Sequence, residues 1–318
     1  MLRRTFTKLS LLACIGTFTL AGCGGSSTDT ELTNPDIAQD TTNAFSKNTD
    51  QELVFSAIPD TAGSELTEKF DKVAEYLSAE LGVTVRYQPS PDYGASVEAF
   101  TNGDIHFAWF GGLTGVQAMQ AVPGSAAIVQ GEADPMYYSY FIAHTDSELP
   151  EWNGEDGQPF PDAMGGMSFT FGSEKSTSGR LMPEFFIREN TDQSPAEFFD
   201  GEPGFSGSHD NTVSQVNSGA YMVGAVNYKV YTRMSEAGEA PNAYIVWKTP
   251  YYADYNLTAR GDLDETFGEG SMKKLQEVLV ALDDPALLSA FDRDNLIEAT
   301  NGEFQGIVDV AESLGFLE

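Results

Sequence analysis

Leu53-Val54-Phe55-Ser56-Ala57-Ile58 is a short apolar run stopped by Pro59, and it reads as a β-strand. Leu66, Phe70, Val73, Leu77 and Leu81 then recur at helical spacing, Gly82 ends the helix, and residues 83–87 alternate as a second strand. A helix between two strands is the crossover that parallel pairing needs, so this unit sets an α/β class. Working outward, residues 97–100 close a short helix. Residues 105–110 form a third strand followed by Gly111-Gly112, and residues 113–121 return to helical spacing. Further strands are expected over 126–130, 138–143, 167–171, 221–226 and 244–248, with helices over 180–190 and 212–217. Toward the C-terminus, Met272, Leu275, Val278, Leu279 and Leu282 share a helix face. Between residues 146 and 166 Glu, Asp, Pro and Gly erase any period, which predicts an acidic surface loop near a domain crossing.

The whole chain has 318 residues, 48 acidic and 17 basic, for a net charge of −31. That length suits about two domains, and 41% hydrophobic residues with 21 Phe exclude wholesale disorder. So negative a surface repels phosphate backbones and argues against nucleic acid. Two cysteines exclude a disulfide framework and a cysteine-built zinc site, and three scattered histidines give no metal motif, so no cofactor or metal is expected.

At the N-terminus, Arg3, Arg4 and Lys8 precede a short apolar run over 9–20 and then Leu20-Ala21-Gly22-Cys23. The run is too short to span a bilayer as a mature helix but suits a secretory signal. Leu-Ala-Gly-Cys resembles the bacterial lipobox, which implies cleavage before Cys23, lipid on its sulfur, and a periplasmic or cell-surface protein held by that lipid. Residues 1–22 are thus expected to be signal peptide. Residues 23–51, poor in large apolar groups, are expected to form a disordered tether with a reach on the order of 30 Å.

Several stretches could carry function. Gly172-Ser173-Glu174-Lys175-Ser176-Thr177-Ser178-Gly179 runs from a strand into a helix. Unpaired amides at a helix N-terminus and successive hydroxyls suit an oxyanion; plain N-capping is the competing reading. Ser208-His209-Asp210 opens a second helix, though a lone histidine is more often structural than ligand-directed. Gly111-Gly112 would let backbone amides approach a ligand or simply make a tight turn. Pro91-Asp92-Tyr93 opens a third helix, and Pro250–Asn256, which includes Tyr252, is an aromatic loop suited to an interface or the core.

Ile58-Pro59, Asp92-Tyr93, Trp109-Phe110-Gly111-Gly112, Ser176-Thr177-Ser178-Gly179 with Met182-Pro183, and His209-Asp210 occur in this order. In that order they resemble the phosphonate, phosphite and phosphate substrate-binding proteins of ABC importers over about residues 52–260. Phe171-Gly172-Ser173 and the 250–256 loop are similar to a branch named for selenate. The resemblance implies a two-lobed periplasmic-binding-protein fold of type II, with a hinge and an interlobe cleft. Lobe one would hold residues 52–143 and 254–318, and lobe two residues 144–253, with crossings near His144-Thr145 and over 252–256. It further implies that Tyr93 gives its hydroxyl from lobe one, that Ser176, Thr177 and Ser178 grip the anion from lobe two, and that His209 and Asp210 touch its far side. Gly111, Gly112 and Tyr252 complete the expected contacts. A monomer would deliver a small oxyanion to a membrane permease and its ATPase. Where relatives that bind aminoalkyl phosphonates often have an acidic residue, this chain has Tyr221-Met222-Val223, which argues against a cationic ligand.

A carboxylate facing the ligand needs a proton to share. Asp210 turned inward would favour phosphite, phosphonate or phosphate, whereas Asp210 turned outward leaves a selenate or sulfate receptor open; an anion sensor at the surface would use the same fold. Catalysis is not expected. There is no Gly-x-Ser-x-Gly elbow, and the Ser-x-x-Lys match at Ser271 and Lys274 lies on an amphipathic helix without partner motifs.

Overall fold

The computed structural model describes residues 31–61 and 65–317, so the signal segment, Cys23 and the start of the expected tether lie outside the described residues. The first half of lobe one runs β1 (Leu53–Ala57), α1 (Glu65–Leu81), β2 (Val85–Tyr87), α2 (Tyr93–Asn102), β3 (Phe107–Phe110), α3 (Gly112–Ala121) and β4 (Ala126–Gly131). Lobe two follows with β5 (Ser139–His144), β6 (Phe169–Phe171), α4 (Met182–Thr191), α5 (Pro195–Phe198), β7 (Gly204–Phe205), α6 (His209–Asn217), β8 (Val223–Asn227), α7 (Tyr228–Glu236) and β9 (Ala243–Lys248). The chain then returns to lobe one through β10 (Asn256–Ala259), α8 (Leu263–Phe267), α9 (Ser271–Val280), α10 (Pro285–Leu288), β11 (Leu296–Glu298) and α11 (Gln305–Ser313).

Lobe one is built on a six-stranded sheet in the order β11-β4-β10-β3-β1-β2, and lobe two on a five-stranded sheet in the order β7-β6-β8-β5-β9. The first βαβ unit is parallel, with Leu53 opposite Val85 and Phe55 opposite Tyr87. Phe55 stacks on Phe107 and edges onto Phe70, so the apolar stripe of α1 closes over the sheet it crosses.

The first crossing falls earlier than His144-Thr145. β5 pairs with β8 and β9, so residues 139–143 belong to lobe two and the chain crosses over 132–138. An apolar run of that length fits either sheet; only its partners decide, and those are remote in sequence. The second crossing occupies 249–255. The two crossings pair with each other: Tyr137 and Tyr252 exchange backbone N–H···O bonds of 2.9 and 3.0 Å, and the Asp254 N–H reaches the Asp134 carbonyl at 3.1 Å. Beside them the Arg293 guanidinium grips the buried Asp134 carboxylate through two bonds of 2.8 and 2.6 Å. Burial works against its charge, but Asp134 outweighs that and holds Arg293 well above its ordinary pKa.

Residues 31–51 correct the expected tether, since from Leu32 onward they lie along lobe one. The Leu32 N–H donates to Gln305 Oε1 at 2.8 Å, and Asn301 Nδ2 donates to the Thr33 carbonyl at 3.0 Å. Phe45 is only 6% exposed, tilts against Phe267, and gives its N–H to Ser271 Oγ at 2.9 Å. Gly268 and Gly270 sit at φ of +121° and +83°, and a Cβ on either would strike the Asn43 or Asp40 carbonyl. One aromatic anchor and a few backbone bonds hold a segment whose composition looks disordered. The acidic stretch over 146–166 is a largely exposed surface loop, as expected, held against lobe two by Phe160 on Trp247 and by Asp156, 2.7 Å from Lys248 Nζ.

Candidate functional site

After β6 the chain enters the hydroxyl-rich turn, which winds as one π turn over Thr177–Leu181. The Leu181 N–H reaches the Ser176 carbonyl at 2.9 Å, and Ser176 Oγ accepts from the Gly179 N–H at 2.9 Å. The wide turn spreads its residues into the interlobe space, a placement that single π turns often serve. Gly179 is required here, because a Cβ would stand 3.0 Å from both Ser176 Oγ and His209 Cε1. Its absence lets the His209 ring lie flush against the turn.

His209 begins α6 and has no exposed surface. Its Nδ1 accepts from the Asn227 N–H at 3.3 Å, which leaves the proton on Nε2, and Nε2 has no partner among the described residues. Burial pulls the imidazole pKa down to about 4 against the opposing charge of Asp210. The ring is therefore a neutral N–H donor.

From lobe one, Tyr93 opens α2 behind Asp92, whose Oδ1 accepts the Ala95 N–H at 2.8 Å. The buried Tyr93 hydroxyl has no hydrogen-bond partner among the described residues. Burial, then the charges of Asp60, Asp254 and Asp210, push its pKa well above the ordinary phenol; Ser176 alongside works the other way. The phenol stays protonated.

The carboxyl against the Ser-Thr-Ser turn is that of Asp254. It is 1% exposed; Oδ1 accepts the Gly112 N–H at 2.9 Å, and Oδ2 has no partner among the described residues. Burial raises its pKa to about 7, with the Gly112 amide and the Thr177 and Ser178 hydroxyls pulling it down and Asp134 adding to the rise. Asp210, expected to touch the far side of the ligand, accepts from Ser208 Oγ at 2.5 Å and lines a cavity of about 330 Å³ with Asp60, Arg233 and Asp292.

Gly111 and Gly112 also depart from expectation. The Gly111 N–H goes to Thr114 Oγ1 at 3.1 Å, the Gly112 N–H to Asp254, and the Leu113 N–H to Thr177 Oγ1 at 2.9 Å. The amides at the start of α3 are thus engaged by protein, and the glycines serve close approach: a Cβ on Gly111 would lie 3.1 Å from Thr177 Oγ1. Tyr252 braces the site from behind. Its hydroxyl meets Ser139 Oγ at 2.5 Å, and Ser139 Oγ donates to the Ser178 carbonyl at 2.6 Å.

Tyr93, Ser176, Thr177, Ser178, His209 and Asp254 therefore converge as one buried, donor-rich site, with the Asp254 carboxyl set against the hydroxyl turn. Asp254 lies within the expected second crossing, over 252–256, and the sequence assigned it no role. The signal that could have marked it is that a crossing residue sits where both lobes meet.

Two α/β lobes joined by paired crossing strands, with polar side chains of both converging between them, define a two-lobed substrate-binding protein. The model of the family described as the phosphonate periplasmic substrate-binding protein of ABC transporters matches residues 55–304, and the chain belongs to that family. It is 37% identical over 270 residues to the probable ABC transporter phosphite-binding protein PhnD1 of Prochlorococcus marinus, covering 82% of this chain and 89% of the relative. The structure of that PhnD1 in complex with methylphosphonate superposes with a TM-score of 0.78 at 36% identity, over 84% of this chain and 99% of the other. A binding-protein component of a phosphonate transporter from Pseudomonas aeruginosa shares the fold, with a TM-score of 0.69 at 18% identity over 81% of this chain and 85% of the other. Among the described residues no helix is long and apolar enough to cross a membrane, and no group of acidic, His or Cys side chains is arranged to hold a metal.

Proposed function

We propose that the chain binds a small, singly protonated phosphorus oxyanion, phosphite or methylphosphonate, between its lobes and presents it to a permease without chemical turnover. The observation that carries the reading is the buried Asp254 carboxyl with one oxygen unpaired, set among Tyr93, the hydroxyl turn and a neutral His209. The phenol, the Ser176 and Ser178 hydroxyls and the His209 N–H stabilise negative oxygens. A carboxylate does so only if the ligand supplies an O–H, which a monoprotonated phosphorus acid has and sulfate or selenate lacks. Every one of these side chains is buried, which restricts the ligand to a compact anion. Lobe two would grip through Ser176, Thr177 and Ser178, lobe one through Tyr93, and Asp254 would read the proton from the crossing, with Gly111, Gly112 and Tyr252 framing the site.

The anchor belongs to the same proposal. Lipid on Cys23 would hold the protein at the outer side of a membrane beside the permease and its ATPase. The deciding experiment is calorimetry of phosphite, methylphosphonate, phosphate, sulfate and selenate. The first two are expected to bind tightly, and the paired Ser176→Ala, Thr177→Ala variant to lose them by at least about a hundredfold, several charge-assisted bonds being gone. Selenate binding tightly in place of phosphite would sink the assignment.

A further inference from the structure

We propose that Asp60, Tyr255 and Asn227 are positioning residues that align His209 toward the bound anion, and that they do so across the closed interface between the lobes. This rests on the reading above, in which His209 meets the ligand.

Asp60 follows β1 in lobe one, Tyr255 ends the second crossing, and Asn227 ends β8 in lobe two. Asp60 reaches His209 by two routes. Its backbone carbonyl accepts the His209 N–H at 3.0 Å. Its carboxylate Oδ2 accepts the Tyr255 hydroxyl at 3.1 Å; that hydroxyl accepts from Asn227 Nδ2 at 3.1 Å, and the Asn227 N–H donates to His209 Nδ1 at 3.3 Å.

The direction of each bond is determined. Asn227 Oδ1 accepts the Val230 N–H at 2.8 Å at the start of α7, so its other terminal atom is the NH₂ group and can only donate. The Tyr255 oxygen must then accept, and its own proton goes to Asp60. At the far end the backbone donor on Nδ1 leaves the His209 proton on Nε2, the nitrogen that faces the anion site.

Tyr255 is a rigid post for such a chain. Its ring stacks on Trp109 at 5.8 Å between centroids, edges onto Tyr137 at 5.4 Å, and carries the Arg293 guanidinium 4.6 Å above it. The charged groups acting on Asp60 include Arg293, Arg233 and Asp292, the last two joined at 3.7 Å, and Asp210, Glu65, Lys69 and Glu239 line the same cavity. Burial leaves the Asp60 carboxyl with a pKa near 6, so its environment disfavours the charge while its oxygen is still used as an acceptor. Asp60 stands on one lobe and His209 on the other, so both routes exist only while the lobes are together. Alignment of the ring is thereby coupled to closure.

The test uses the full chain with phosphite as probe. Tyr255→Phe removes the bridging hydroxyl at almost no change in volume, Asp60→Ala removes the acceptor, and Asp60→Asn removes the charge but keeps an acceptor oxygen. Tyr255→Phe and Asp60→Ala are expected to raise Kd about 5- to 30-fold, mostly through a faster off-rate, while Asp60→Asn stays within about threefold of the parent. Nitrogen-15 spectra of His209 should show the Nε2–H tautomer sharply in the parent and in Asp60→Asn, and the same tautomer with a broadened signal in Tyr255→Phe, where the Asn227 backbone donor remains but is held less firmly. The inference is overturned if Tyr255→Phe binds as the parent does with its histidine signal unchanged, or if Asp60→Asn falls as far as Asp60→Ala. Should Asp60→Ala fail to fold, Tyr255→Phe and the histidine spectrum decide alone. A parent chain that binds neither phosphite nor methylphosphonate would instead remove the oxyanion reading, and this inference with it.

Discussion

Asp134 and Asp254 are both buried carboxyls, one on each crossing strand, and the Asp254 N–H is bonded to the Asp134 carbonyl at 3.1 Å. Their surroundings differ. Asp134 has every need met: a bidentate Arg293, and the Gly131 N–H at 2.7 Å. A Cβ on Gly131 would overlap Arg293, so even the neighbouring backbone is shaped to that pair. Asp254 has one amide, hydroxyl neighbours, no cation and an oxygen without a partner among the described residues. A paired carboxylate fixes where two strands cross; an incompletely satisfied one at the same depth is held ready for something that arrives.

The largest expected effect comes from breaking the satisfied member. Arg293→Ala leaves the Asp134 charge buried without its partner, a change that costs about 3–5 kcal/mol. Urea unfolding should show that loss. A midpoint unchanged from the parent would mean the pair does not organise the crossing.

The next effect is on ligand choice. Asp254→Asn removes the acceptor that demands a proton and supplies an amide that can donate. Phosphite affinity should fall and sulfate or selenate affinity rise, narrowing their ratio by about a hundredfold, on the order of 3 kcal/mol. Titration calorimetry at pH 6.5 reads both. An unchanged ratio would remove Asp254 from the recognition of the proton. In the parent, phosphite affinity should decline by up to about tenfold per pH unit above about 7, where ligand and Asp254 no longer share a proton.

The hydroxyl turn, Tyr93 and His209 were legible because helix starts carry their own signals: a strand, then a polar turn, then a capping residue. The orientation of Asp210 and the place of Asp254 were not, because helix phase and the position of a crossing strand, both tertiary, set where each acid lies. The first crossing was misplaced for the same reason: β5 has an apolar pattern that names no partner. β10 and β11 were missed because four and three residues carry too little period to register. The segment over 31–51 escaped because a single Phe45 and a row of backbone bonds do not alter composition. Phe45→Ala should cost about 3 kcal/mol and open residues 31–51 to proteolysis while leaving phosphite binding in place, since the segment's hydrogen bonds to other elements run to lobe one, among them those to Gln305, Ser271 and Thr266. Lost binding would tie the segment to the site.

The smallest effect has the most diagnostic sign. Asp254 has an ordinary carboxyl pKa of 3.8 when unfolded and about 7 in the folded chain. Between those values the native state holds more protons than the unfolded one, so stability is full at low pH and falls as pH rises toward 7. At pH 8 the parent carries the whole cost of an ionised, poorly paired carboxylate, and Asp254→Asn removes it. A shift of that size is at most about 4 kcal/mol, and with the neighbouring hydroxyls turning to the carboxylate the variant should be more stable at pH 8 by on the order of 1–2 kcal/mol, melting a few degrees higher, with the gain vanishing near pH 4. Asp134→Asn should do the reverse, because it strips Arg293 of its counter-charge. Melting curves of the two variants at pH 4.5 and pH 8 set the neighbours side by side. If Asp254→Asn is destabilised at both pH values, its carboxylate is a structural acceptor like Asp134, and the contrast drawn between them fails; if it is stabilised only at high pH, the chain gives up stability at this position to keep a proton-sensitive contact for its ligand.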